Sequence, residues 1–101
     1  MSASTKHILD YTNTIAVVGA SKDPEKAGHS IPMAMKRHGF RVIGVNPSAD
    51  TLFGEKAYKT LADIPEKVDL VSVFRPAAEA PDIARQAVAI GARALWLQTG
   101  I

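Results

Sequence analysis

The chain has 101 residues, 47% hydrophobic and 22% charged, with a formal net charge of +2. That suffices for one domain with an ordinary core and is too weakly basic to argue for nucleic acid. There is no cysteine, no apolar run long enough to span a membrane and no apolar signal core at the N-terminus. A single cytoplasmic domain over 1–101 is therefore expected, without disulfides and without a membrane or nucleic-acid partner.

Residues 1–13 read as a polar lead-in in which Ile8, Leu9 and Tyr11 form a short helix against a sheet. The first strand is expected over 14–19, where Ile15, Ala16, Val17 and Val18 run continuously apolar, as in a strand covered on both faces. It breaks at Gly19-Ala20-Ser21 into a polar loop that runs to Ser30. A helix is expected over 29–38, with Pro32 in its first turn, Ile31, Ala34 and Met35 on its buried face, and Gly39 as its stop. The second strand, 41–46, ends at Pro47. Residues 48–56 read as turn-rich, and Ala57-Tyr58 as a very short edge strand. Thr60 is positioned to cap one helical turn, Leu61 to Ile64. The strongest later strand is 68–74, ended by Arg75-Pro76. An Ala-rich helix follows near 79–90, with Ile83, Ala84, Ala87, Val88 and Ile90 as its stripe, and a last strand covers 94–98.

Strand, loop, helix, strand is a βαβ unit, and its repetition predicts an α/β fold. The architecture expected is an open parallel, Rossmann-like sheet of order about 3-2-1-4-5 with helices on both faces. Such sheets bind ligands outside the carboxyl ends of their strands, where the order reverses. That edge gathers Gly19-Ala20-Ser21, Asn46-Pro47, Phe74-Arg75-Pro76 and Gln98.

The chemistry expected there is phosphate binding. The helix after Ser21 points its N-terminus at the edge, with Lys22 and Lys26 beside it, and His29 and Ser30 within reach of an anion. Gly19, with no side chain, lets a phosphate approach the Ala20 and Ser21 N–H groups. The loop is longer than packing needs, yet it is neither G-x-G-x-x-G nor a P-loop. Arg75 can pair with a phosphate, and Phe74 can cover an adenine or a pantetheine arm. The plainer readings stay open: a tight turn at Gly19, a solvated helix start at His29, which is favoured there over an anion contact, a turn ending the strand at Asn46-Pro47, a core ring at Phe74 and a surface ion pair at Arg75. An NAD-binding chain carries an acid at the end of the second strand, where this one has Asn46-Pro47.

The ordered set Val17-Val18-Gly19-Ala20-Ser21, Gly44-Val45-Asn46-Pro47, Tyr58 to Pro65, Val68 to Pro76 and Leu95 to Ile101 resembles the small bacterial CoA-binding proteins. These are relatives of the N-terminal domain of the succinyl-CoA synthetase alpha subunit. The resemblance covers about residues 8–101. It implies a Rossmann-like domain that holds coenzyme A through its ADP and pyrophosphate. Gly19, Ala20 and Ser21 match the family's phosphate turn, Asn46 and Pro47 its strand-two corner, and Val73, Phe74, Arg75 and Pro76 the segment against the nucleotide. Members usually continue past the Trp-Leu-Gln-Thr-Gly-Ile corner, so a domain shortened at its C-terminus, with its last strand as an edge, is expected.

No nucleophile–base pair and no metal-ligand spacing is visible. His7, His29 and His38 fall in different elements, and the catalytic His of the related synthetase belongs to a later domain. A binding module is therefore favoured over an enzyme. A nicotinamide-binding redox sensor or dehydrogenase-like fragment is the alternative on the same fold.

Overall fold

The alternation of side chains along one central strand decides the layering. The computed structural model describes residues 12–98. The short helix expected at Ile8, Leu9 and Tyr11, and the Thr99-Gly100-Ile101 corner, lie outside the described residues. The elements are β1 (Thr14–Val18), α1 (Ala27–Arg37), β2 (Arg41–Val45), β3 (Thr51–Leu52), β4 (Glu55–Lys56), β5 (Leu70–Val73), α2 (Ala80–Ala89) and β6 (Ala94–Leu97). Single 3₁₀ turns occupy Leu61–Asp63 and Ala77–Glu79. No helix among the described residues is long and apolar enough to cross a membrane.

Four parallel strands form the main sheet in the order β2-β1-β5-β6. In a strand, successive side chains leave on opposite faces. Ile15 and Val17 therefore join Val42, Leu70, Met33, Met35 and Trp96 on the α1 side. Ala16 joins Val45, Val71, Val73, Ile83 and Ala87 on the α2 side. Each large aliphatic side chain buried this way contributes about 1.5–3 kcal/mol. The α/β class, the parallel sheet and the helices on both faces agree with the reading of the sequence.

Several details differ. The edge strand expected at Ala57-Tyr58 is a single parallel bridge between Val45 and Tyr58, so the third position of the expected order is one residue deep. The 48–56 stretch is more than turns: β3 and β4 form an antiparallel hairpin around Phe53 and Gly54, whose φ angles of 57° and 78° are those of a two-residue primed turn. Phe53 accepts this conformation because its ring is buried in the core. Helix α1 begins two residues before the expected start, which places Pro32 in its interior. Its fully buried residues are Gly28 and Pro32, one helical turn apart; Met35 packs on the core as expected, with Met33 beside it, while Ile31 is 36% exposed. In α2, Ile83 and Ala87 are buried while Val88 is 76% exposed, because five residues past Ile83 is about 140° round the helix.

The amino edge of the sheet is closed by Asp69. Its Oδ2 accepts the N–H groups of Asn13 and Thr14, each at 3.0 Å, fastening the start of β1 to the start of β5. Burial pushes this carboxyl up. The two N–H donors, helped by Lys67 and Arg93, outweigh that and hold it below the usual carboxylate range.

Candidate functional site

At the opposite, carboxyl edge an open crevice of about 1230 Å³ lies beyond the ends of β1, β2 and β5, where the loops leave for helices on opposite faces of the sheet. Its floor is built first. Gly19 turns the chain out of β1 at φ +84°, and its N–H bonds the Val45 carbonyl. The loop then winds on its own side chains. Ser21 Oγ accepts the Asp23 N–H, Asp23 Oδ1 accepts the Glu25 N–H, and the Asp23 carbonyl takes the Lys26 N–H. These are the local turns that Ser and Asp favour.

The loop is fixed to α1 by a vacancy in the helix. Proline has no N–H, so Pro32 cannot serve the carbonyl of Gly28 four residues earlier. The Ser21 N–H serves it instead, at 3.1 Å. From the other side His29 Nδ1 stands 2.8 Å from the Ser21 carbonyl. A carbonyl only accepts, so Nδ1 is the donor. The His29 ring also packs on Phe53, 5.6 Å between centroids, which ties the β3–β4 hairpin to the same loop.

The N-terminus of α1 is left open toward the crevice. Lys26 stands at its N-cap without a side-chain cap, and no acid occupies its first turn. The Ala27 and Gly28 N–H groups have no protein acceptor among the described residues. A lysine at the positive end of a helix dipole is unfavourable by a few tenths of a kcal/mol unless an anion lies nearby. Lys22, Lys26 and Lys59 line the crevice, and none joins an ion pair among the described residues.

Asn46 holds the second corner to the first. Its Nδ2 donates to the Ala20 carbonyl at 2.9 Å, its Oδ1 accepts the Ser48 N–H at 2.7 Å, and its own N–H bonds the Tyr58 carbonyl at 2.9 Å. On the third corner Arg75 forms a two-pronged pair with Glu79, Nε–Oε1 3.1 Å and Nη2–Oε2 2.8 Å. The Glu79 carboxylate beside it raises the already high Arg75 pKa further.

Nine of the expected site residues meet in this crevice: Gly19, Ala20, Ser21, Lys22, Lys26, Asn46, Pro47, Phe74 and Arg75. Four do not. His29 is turned to the Ser21 carbonyl and Phe53; Ser30 is exposed on α1; Val73 is buried in the α2-side core; Pro76 is exposed ahead of the 3₁₀ turn. Two expected roles also change. The Ser21 N–H is already engaged with Gly28. A side chain at position 19 meets protein first, because its Cβ falls 2.6 Å from the Phe74 carbonyl.

Sequence reasoning missed Ala27 and Gly28, Lys59 and Thr60, and the α2-side wall of Glu79, Asp82 and Gln86. Gly28 carried a signal, a second glycine at the start of the helix. A Cβ there falls 2.9 Å from the Gly19 carbonyl, so the bare backbone is what lets α1 close onto the β1 turn.

A family model described as a CoA binding domain matches residues 13–101. The Bacillus subtilis protein YneT is 36% identical over 99 residues, covering 98% of this chain and 73% of YneT. The ADP-forming acetate–CoA ligase II of Archaeoglobus fulgidus is 36% identical over 77 residues, which are 74% of this chain and 11% of the ligase. Among solved structures, a hypothetical protein from Pyrococcus horikoshii OT3 superposes with a TM-score of 0.91 at 32% identity, covering 95% of this chain and 68% of that one.

Proposed function

This chain belongs to the CoA-binding domain family, and we propose that it binds coenzyme A or an acyl-CoA at the carboxyl-edge crevice, without catalysis of its own. The observation that carries the reading is the open end of α1. Two N–H donors with no acceptor among the described residues, Ala27 and Gly28, meet Lys22 and Lys26 there at the switch point of a parallel sheet. N–H donors and cations at a helix start form the donor set for a pyrophosphate. Phe74 and the α2-side residues Ala78, Ile83 and Gln86 give the opposite wall an apolar and amide character suited to a pantetheine arm.

Asn46 weighs against the nicotinamide reading. Its amide is spent on Ala20 and Ser48, and it offers no carboxylate to ribose hydroxyls. The test is a thermal-shift panel of CoA, acetyl-CoA, NAD, NADP and FAD. A ligand at about 100 times its dissociation constant adds about 2.7 kcal/mol of stability. Stabilisation by CoA or acetyl-CoA, with none by NAD, supports the proposal. Stabilisation by NAD with none by CoA replaces it with the redox-sensor reading.

A further inference from the structure

We infer that Lys59, assisted by Thr60, reads a phosphate monoester on the ribose of the bound nucleotide; the inference rests on the nucleotide-binding reading above. In dinucleotide-binding sheets the end of the second strand meets the ribose, with an acid for free hydroxyls or a cation for a ribose phosphate. Here β2 ends at Val45, and Tyr58 runs parallel beside it through a single bridge. Residues that follow Tyr58 therefore emerge at the same edge as residues that follow Val45. Lys59 and Thr60 line the crevice next to Asn46, Pro47 and Ser48.

The acids that line the crevice, Glu79 and Asp82, both come from the segment after β5, and each is paired with an arginine. The Asn46 amide is engaged on both of its atoms. Lys59 is exposed and joins no ion pair among the described residues. Asp50 and Asp63 border the adjoining hollow that Lys59 also lines, and neither pairs with it. Thr60 stands at the N-cap of the Leu61–Asp63 turn yet makes no side-chain cap bond, contrary to the role its position suggests. An ammonium and a hydroxyl that makes no hydrogen bond among the described residues thus stand at the ribose end, with no carboxylate among the crevice-lining residues there. That set suits a phosphate and gives little reason to prefer a bare ribose.

The same chemistry serves a 3′-phosphate, as in CoA, or a 2′-phosphate, as in NADP. Calorimetric titrations with CoA, 3′-dephospho-CoA, NADP and NAD separate the two. Each is run on the native chain and on the Lys59→Ala and Lys59→Arg variants. Lys59 is exposed, so both variants are expected to fold. The native chain should bind CoA about tenfold or more tighter than dephospho-CoA. Lys59→Ala should close that gap by weakening CoA alone, and Lys59→Arg should restore part of it. A Lys59-dependent preference for NADP over NAD, with no CoA binding, keeps the ribose-phosphate inference and overturns the CoA reading. Equal affinity for CoA and dephospho-CoA, or an equal loss of both in Lys59→Ala, overturns the inference and leaves the CoA reading standing. Binding of none of the four overturns both.

Discussion

The Ser21 N–H donates to the Gly28 carbonyl at 3.1 Å, across the gap between the β1 loop and the first turn of α1. Pro32 leaves that carbonyl without a helical donor, so a helix defect becomes the anchor of a ligand loop. The anchor needs close approach. At position 28 a Cβ falls 2.9 Å from the Gly19 carbonyl, a backbone atom with little room to yield.

Gly28→Ala is accordingly expected to destabilise the domain. In an open helix the change gains about 1 kcal/mol of propensity. Here overpacking against backbone costs about 1–3 kcal/mol, and the net effect is a loss. Urea denaturation checks this, and a more stable variant would show that α1 has room to move away from the β1 turn.

Asn46→Asp isolates the bond between the first two corners. The aspartate keeps an acceptor for the Ser48 N–H but turns an oxygen toward the Ala20 carbonyl, where Nδ2 now donates at 2.9 Å. Losing that donor should cost about 1–3 kcal/mol of stability. The added acid should also fail to create NAD binding, since it sits among backbone bonds rather than free at the edge. Unchanged denaturation midpoints would mean that the corners hold together without Asn46.

Asp69 predicts how stability depends on acid. Its folded pKa is depressed below the unfolded value of about 3.9, so its contribution is fully present above that value. The contribution is lost as pH falls through the folded pKa. Between about pH 5 and pH 2 the native chain should therefore lose more stability than Asp69→Asn, whose amide oxygen can still accept from Asn13 and Thr14 but does not titrate in this range. Parallel acid-denaturation slopes for the two proteins would refute the assignment.

Arg75 is already paired, and this changes what its removal should do. With both prongs on Glu79, Arg75→Ala should weaken CoA by less than tenfold and leave the fold intact. Glu79→Gln frees the guanidinium and removes a negative charge from the crevice, so it should tighten CoA binding. Titration calorimetry on both variants checks the pair, and a weaker Glu79→Gln complex would contradict it.

The fold was legible because its signals are long. The continuous apolar runs of β1, β2 and β5 specify buried parallel strands, and Gly39 and Gly91 mark the ends of the two helices. The β3–β4 hairpin was not legible. It is two residues a side, and its turn places a phenylalanine at positive φ, which no local rule selects; the buried Phe53 ring compensates. The crevice was legible where it follows strand ends, as at Gly19, Asn46 and Arg75. His29 left it because the loop carbonyl and the hairpin ring both claim the imidazole, and Lys59 entered it through the Tyr58 bridge, a single pairing too short to read from periodicity. Gly19 was read as clearance for a phosphate, while the nearest obstacle to a side chain there is the Phe74 carbonyl.

The central claim is that coenzyme A binds at the open end of α1, and amide-resolved NMR titration with CoA tests it most directly. Saturable shifts concentrated at Ala20, Lys22, Ala27 and Gly28, with smaller ones at Lys59 and Thr60, are the predicted result. Shifts absent from the Ala27 and Gly28 amides, or confined to residues outside the crevice, would contradict it.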